Sequence, residues 1–419
     1  MDVASLTKLL SPEGWALLNS LPPYDESQAM VLATRLRADG VDPDLAAAAL
    51  TQSRLRGRAR AKLGPFAEAM LFTPHGLEQA TRLVVAALHA RRYLAADVTK
   101  VADLTSGLGA DALAFAGVGL QVLATDVDEV TAALATVNLR AFPEAEVRHA
   151  DGLGLDLAAE GVDGVFADPA RRTRGGRRIF DPAAYAPPLD AVWDLRSQVP
   201  ALGIKVGPGI PHQGLPADAE TQWVSVDGDV VEAGLWFGPL APEGPGRSAL
   251  VLRTVDEVPD GGAGPGSTRS GSVSRVLRSG PHDVDLVPEV GSVGAYLYEP
   301  DGAVVRAGLV AHAAAELGGR LVDRTIAYVT TDAPAAPGPG APLATGYRVV
   351  DAMPFNLKRL KAYLRERGVG RLTVKKRGTA VTPEQLRAQL ALKGDAEATV
   401  VLTRVAGRQH VLVVEPLAV

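Results

Sequence analysis

Four short strand-like runs, each closed by an acidic residue, follow one another between Val98 and Arg172. The first, marked by Val98, Val101 and Leu104, carries Asp103 at its end and is broken by Gly107 and Gly109. A helix-compatible stretch from Asp111 to Phe115 follows at once. Strand, glycine turn and helix N-terminus together make a place where backbone can approach a ligand closely. The second run, Leu120 to Thr125, ends at Asp126 and Asp128; the third, Glu146 to His149, ends at Asp151; the fourth, Val162 to Ala167, ends at Asp168. In an open parallel α/β sheet such ends line the ligand crevice.

Gly107-x-Gly109-x-x-Ala112 also satisfies the dinucleotide-binding pattern, with Asp126 19 residues after the first glycine. The ordered acids separate the two possibilities. With an acid four residues before the glycine turn, one after strand two, a third, and then Asp168-Pro169-Ala170-Arg171, the stretch resembles a class I S-adenosylmethionine (SAM) methyltransferase. The full layout is similar to bacterial methyltransferases with a C-terminal THUMP-like domain. That resemblance implies a Rossmann-like α/β sheet preceded by a helical domain and followed by an α+β THUMP-like module. It implies SAM as cofactor, with Asp103 and the Gly107–Gly109 turn on its methionine part, Asp126 on the ribose and Asp151 near the adenine amine. Thr105 and Asp128 belong to the same set of candidates, and Gln79 or Thr81 would touch the cofactor from the segment that precedes the core.

Composition narrows the class. The 419 residues carry 43 basic and 48 acidic side chains and are 47% hydrophobic, as in a soluble globular protein of two or three domains. No apolar run reaches the length of a membrane span, and the start, Met1 to Lys8, lacks the layout of a signal peptide, so a cytoplasmic protein is expected. There is no cysteine, which excludes disulfides, thiolate metal sites and thiol nucleophiles. His75, His149 and His212 show no metal-ligand spacing, so no metal is assigned. The net charge of −5 provides no global attraction to nucleic acid, and any such contact must come from local patches. No feature sets an oligomeric state.

Along the chain, residues 1–95 read as a helical domain, with Ser11-Pro12, Asp42-Pro43 and Thr73-Pro74 as helix starts. The second of these helices ends in a basic row at Arg54, Arg56, Arg58, Arg60 and Lys62, either a solvated face or a phosphate-contacting one. Residues 96–255 read as the SAM-binding methyltransferase domain, with a fifth strand at Ala201 to Val206. The glycine- and serine-rich stretch around 259–272 reads as a loop or linker, within a linker span of 256–282. A small α+β, ferredoxin-like segment over 283–345 precedes the THUMP-like module, 346–419, whose pattern is β-α-β-α-β-β with a capping box at Thr382 to Gln385 and a hairpin around Gly407.

Methyl transfer from a sulfonium needs mainly in-line placement, so positioning groups are expected rather than a triad. By resemblance, the tetrad after strand four holds a planar base nitrogen through the Asp168 side chain and the Pro169 carbonyl. Ala170 stands where the second proline is usual, and Arg171 where a stacking aromatic is usual. Arg171 would stack by its guanidinium plane or clamp a phosphate. It opens a run of five arginines in the eight residues from Arg171 to Arg178. Lys205, near the end of strand five, would contact substrate or pair with Asp168. The catalytic candidates are therefore Asp168, Pro169, Arg171 and Lys205. The expected function is methylation of a nucleobase nitrogen in RNA, tRNA or rRNA being the natural candidates, with nine basic residues against one acid over Lys358–Arg377 as a docking surface. The alternatives are a methyltransferase acting on a small molecule or protein, and a non-catalytic SAM- or RNA-binding protein.

Overall fold

The computed structural model describes residues 3–171, 184–259, 268–280, 286–336, 338, 340 and 342–417. The chain forms two compact units, Met1–Val206 with Leu235–Gly244, and Gly207–Gly234 with Pro245–Val419.

The first unit opens with six helices: α1 (Val3–Leu10), α2 (Pro12–Ser20), α3 (Ala29–Ala38), α4 (Pro43–Leu63), α5 (Pro74–Gln79) and α6 (Leu83–Ala95). The three proline-marked starts are true caps. Ser11 accepts from the Gly14 amide, Asp42 from that of Leu45 and Thr73 from that of Gly76, each with proline at the first helical position, where no amide hydrogen is needed. The helices share one core with the sheet that follows: Leu9, Leu55, Leu63 and Phe72 pack in the same cluster as Phe115, Phe166 and Trp236.

That sheet contains β1 (Lys100–Asp103), then α7 (Ala110–Gly117), β2 (Gln121–Asp126), α8 (Glu129–Leu139), β3 (Ala145–His149) and β4 (Gly164–Ala167). A short hairpin, β5 (Ala170–Arg171) and β6 (Tyr185–Ala186), and α9 (Leu189–Asp194) lead to β7 (Ala201–Val206). The order β7-β4-β1-β2-β3 is parallel throughout. The five expected strands are all present, and β1 has β2 on one side and β4 on the other, which makes the switch point where open α/β sheets bind ligands. Gly164 and Gly203 are small for a packing reason: a Cβ there would lie 2.9 Å and 2.5 Å from the ring and hydroxyl of Tyr93. Tyr93 in turn donates to the Val165 carbonyl at 2.5 Å, fastening α6 to β4.

The second unit holds β8 (Glu220–Val226), most of β9 (Asp229–Trp236), β10 (Gly246–Pro259) and β11 (Thr268–Arg278), with β10 parallel to β8 and antiparallel to β11. The stretch 259–272 thus differs from its reading as a loop: from Thr268 on it is strand, paired from Ser248↔Arg278 to Pro259↔Thr268 with a register shift between Val255 and Val258. Ladder bonds join backbone groups, so a strand can be completed by a partner even where its own side chains offer little to bury. Residues 260–267 lie outside the described residues.

The rest is a seven-stranded sheet, built from β12 (Tyr296–Pro300), α10 (Gly302–Arg306), α11 (Val310–Glu316), β13 (Arg320–Asp323), β14 (Ile326–Thr331), β15 (Ala344–Pro354), α12 (Leu357–Glu366), β16 (Val369–Lys376), α13 (Pro383–Leu390), β17 (Ala396–Val405) and β18 (Arg408–Pro416). Its order is β13-β14-β12-β15-β18-β17-β16. The β-α-β-α-β-β pattern of the C-terminal module is present, with the Thr382–Gln385 capping box and a tight turn at Ala406 and Gly407 joining the last two strands. Leu297, Val322 and Tyr328 of the preceding segment share a core with Tyr347, Val401 and Leu412.

Candidate active site

The turn after β1 is braced from both sides. Ser106 donates its amide to the Thr125 carbonyl of β2 at 2.9 Å, and Gly109 to the Ser106 carbonyl at 2.7 Å. Gly107 and Gly109 take φ of +54° and +82°, the left-handed region that side chains disfavour. The Gly107 amide donates to Asp126 Oδ2 at 3.1 Å and the Asp128 amide to Asp126 Oδ1 at 2.9 Å, so the end of β2 and the glycine turn are tied through one carboxylate. Burial first, partly offset by those two amides, moves Asp126 above the usual carboxylate range.

Asp103 is more extreme. It is 1% exposed, and its Oδ1 accepts from the Thr105 amide at 3.3 Å. Burial, followed by the charge of Asp111, pushes its carboxyl well above the usual range. A buried carboxyl beside other acids and a bare glycine turn is a poor place for an anion and a good one for an arriving ammonium group. The residues present therefore fit a cofactor with an amino-acid moiety.

On the neighbouring strands, the Asp168 amide donates to Thr105 Oγ1 at 2.6 Å, joining the end of β4 to the turn after β1. Lys205 Nζ lies 2.5 Å from Asp168 Oδ2, so the ion pair left open by the sequence is formed. Pro169 is buried and Ala170 and Arg171 are exposed in β5, where Arg171 pairs with Tyr185 of β6. An aromatic residue is thus supplied across the hairpin from the position where the tetrad lacks one. Arg172 to Arg178 lie outside the described residues.

Two linked sets emerge: Asp103, Thr105, Asp168 and Lys205; and Gly107, Asp126 and Asp128. Other candidates have local duties. Asp128 Oδ1 caps α8 through the amide and hydroxyl of Thr131 at 2.8 and 2.7 Å, and the Thr131 hydroxyl is the main cause that lowers its carboxyl below the usual range. Asp151 caps the turn at Gly152–Gly154. Gln79 is exposed at the last position of α5.

Sequence reasoning passed over Asp111 and His89. His89 Nδ1 lies 2.9 Å from Asp111 Oδ1, and Thr81 Oγ1 donates to Asp111 Oδ2 at 2.6 Å. Thr81 also takes a hydrogen bond from Lys205 Nζ at 2.8 Å. All three of His89, Asp111 and Thr81 are buried. A polar residue at a buried helical position was the available signal: Asp111 stands among six apolar neighbours from Ala110 to Ala116.

A family model for a THUMP-like domain matches residues 344–416, and one described as a domain of unknown function matches residues 2–59. Two curated relatives, from Mycobacterium tuberculosis strains CDC 1551 and H37Rv, are described as uncharacterised SAM-dependent methyltransferases. Each is 33% identical over 360 residues, which is 84% of this chain and 90% of the relative. The chain belongs to the family of SAM-dependent methyltransferases. The crystal structure of a protein from Porphyromonas gingivalis W83 assigned as a methyltransferase shares the fold of this methyltransferase: TM-score 0.71, 22% identity, 95% of this chain and 100% of that one. Among the described residues no helix is long and apolar enough to cross a membrane.

Proposed function

We propose that this SAM-dependent methyltransferase modifies a nucleobase nitrogen of RNA, with tRNA or rRNA as substrate, at the crevice beside Asp168. The observation that carries the RNA reading is the THUMP-like match over 344–416 together with α12 and β16, where Lys358, Arg359, Arg365 and Lys376 are exposed and form no ion pair among the described residues. The patch is smaller than the count of nine suggests. Lys375 and Arg377 are held by Glu299 at 2.7 and 3.3 Å, Arg371 by Glu397 at 2.7 Å, and Lys361 donates to the Gln389 carbonyl. Arg367 stacks over Tyr363, 3.6 Å from the ring centre. A row of cations with an aromatic beneath it suits a phosphate backbone.

In this reading, Asp103, Thr105, Gly107 and Gly109 hold the methionine part of SAM, Asp126 the ribose and Asp151 the adenine side, with Asp128 fixing α8 beneath and Gln79 at the rim. SAM supplies the methyl group on a sulfonium, a leaving group that needs no protonation. The chain's own task is to hold the acceptor nitrogen in line. Asp168, paired with Lys205, accepts a hydrogen bond from the acceptor's N–H, and the buried Pro169 stiffens the turn that presents its carbonyl. Proximity and orientation alone contribute about 7–11 kcal/mol in well-oriented reactions. Arg171 in β5 meets the adjoining phosphate. The experiment is transfer of labelled methyl from SAM to bulk RNA, followed by mass spectrometry of nucleosides from a deletion strain. A methylated base that is absent from the deletion strain supports the reading; label appearing only in protein or small molecules overturns it.

A further inference from the structure

Hydrogen-bond arithmetic fixes the direction of the buried chain behind Lys205. An ammonium group only donates, so the Thr81 hydroxyl oxygen, 2.8 Å from Lys205 Nζ, must accept. The single Thr81 proton is then left for Asp111 Oδ2, 2.6 Å away, so that oxygen is an acceptor. Oδ1 faces His89 Nδ1 at 2.9 Å, which makes Nδ1 the protonated nitrogen. The order is therefore His89 to Asp111, Thr81 to Asp111, Lys205 to Thr81 and Lys205 to Asp168. The Lys205–Asp168 ion pair and the His89–Asp111 hydrogen bond are joined by one hydroxyl.

Each member is held in place. The His89 ring lies 5.4 Å from Phe166 and 5.3 Å from Trp236, between β4 and the end of β9. Asp111 sits in the first turn of α7, where the helix dipole favours a carboxylate. Thr81 lies between α5 and α6, and both ends of α5 are tied: Thr73 caps the first turn, while Lys62 Nζ donates to the carbonyls of Leu77, Glu78 and Ala80 at 2.8, 2.6 and 3.1 Å. Lys205, with a side chain 12% exposed, would otherwise swing on four methylenes.

We propose that Thr81, backed by Asp111 and His89, is a positioning residue that holds the Lys205 ammonium on Asp168 and thereby sets the acceptor-binding carboxylate. The proposal rests on the reading of Asp168 and Lys205 as the acceptor-binding pair. Its consequence is that the segment preceding the sheet, and not the sheet alone, controls the rate of transfer.

The test compares Thr81→Val, which keeps the shape and removes the hydroxyl, with Thr81→Ser, which restores it. Thr81→Val should lower the rate of methyl transfer to bulk RNA about 10²-fold. The change should fall on kcat, with SAM affinity by calorimetry within a few-fold of the parent. Thr81→Ser should stay close to the parent. In a Lys205→Met background the valine substitution should add nothing, because the group it positions is gone. A full additional loss there would overturn the proposal. Amine-selective acetylation of the full chain, mapped by mass spectrometry, separates this proposal from the substrate reading. Lys205 should become several-fold more reactive in Thr81→Val and not in Thr81→Ser, whether or not RNA is a substrate. Unchanged reactivity and unchanged rate would sink the positioning role, whereas a response in reactivity with no parent activity on RNA sinks the substrate reading alone. Should valine prevent folding, Thr81→Ala supplies the same comparison.

Discussion

In α4, Arg56 donates to the Met70 carbonyl at 2.9 Å, Arg60 pairs with Glu68, and Lys62 reaches three carbonyls at the end of α5. In α12, Lys358, Arg359 and Arg365 stand exposed, with no ion pair among the described residues. The two basic rows look alike in sequence, and their neighbours separate them. Arg56 and Lys62 lie against backbone carbonyls and apolar surface, so these two cations become part of the fold, while the Arg60–Glu68 pair stays at the surface. Burial, followed by repulsion from Arg140, lowers Arg56 to about 10, and burial is also the main cause that lowers Lys62 below the usual lysine range. Arg54 and Arg58 remain exposed and are what is left of a surface row there. A charge that has been desolvated and hydrogen-bonded is structural; one that has kept its water is available to a partner.

Substitutions in the first unit should therefore move catalysis or stability, and those in α12 should move binding alone. The largest effect is expected for Asp168→Ala, which should lower methyl transfer by about 10²-fold or more while SAM affinity by calorimetry stays within a few-fold. Normal turnover would reduce Asp168 to a turn residue. Lys62→Met comes next: with three carbonyls losing a charged donor, unfolding in urea should show a loss of about 2 kcal/mol, and no loss would mean that water replaces the ammonium at no cost.

A smaller, pH-dependent effect is expected at Asp103. Its folded carboxyl lies above the unfolded value because of burial, so the stability it contributes is complete below the unfolded value and is lost as pH rises through the folded one. Asp103→Asn removes that loss. In the cofactor-free protein the variant should gain in melting temperature relative to the parent at pH 8 compared with pH 5, and a gain that is the same at both would contradict the burial of a neutral acid.

The smallest change in stability is expected when Lys358, Arg359 and Arg365 are all replaced by Gln, within about 0.5 kcal/mol per surface site. RNA affinity should weaken, and the slope of log affinity against log salt should flatten by about 0.7 for each lost phosphate contact to a single strand, or about 2 in all. An unchanged slope would leave α12 as ordinary surface. Point substitutions are the suitable probe here, because removing the chain from β15 onward would strip Tyr347 and Leu412 from a core that also holds Leu297 and Tyr328.

The α/β class, the five parallel strands, the capped helices and the C-terminal β-α-β-α-β-β order were legible in the residues, because each rests on local chemistry. Apolar runs of strand length, glycines that alone tolerate positive φ, and Ser, Asp or Thr before proline act within a few residues of chain. The acids at the strand ends were legible for the same reason, since the carboxyl ends of the strands border the crevice in any such sheet.

What a charged side chain meets across the fold is decided elsewhere. Lys62 and Leu77 are 15 residues apart, Lys205 and Thr81 are 124, and Lys375 and Glu299 are 76. No local pattern encodes those meetings, so the same basic row could be solvated or structural, and Lys205 could face substrate or Asp168. Asp111 and His89 went unnoticed because a lone acid and a lone histidine carry no spacing signal until α6 and α7 are packed side by side. By itself the sequence determined which segments become strands and helices and which ends bear acids. Only tertiary packing decided which charges lose their water, because desolvation depends on neighbours that the chain brings together from far apart.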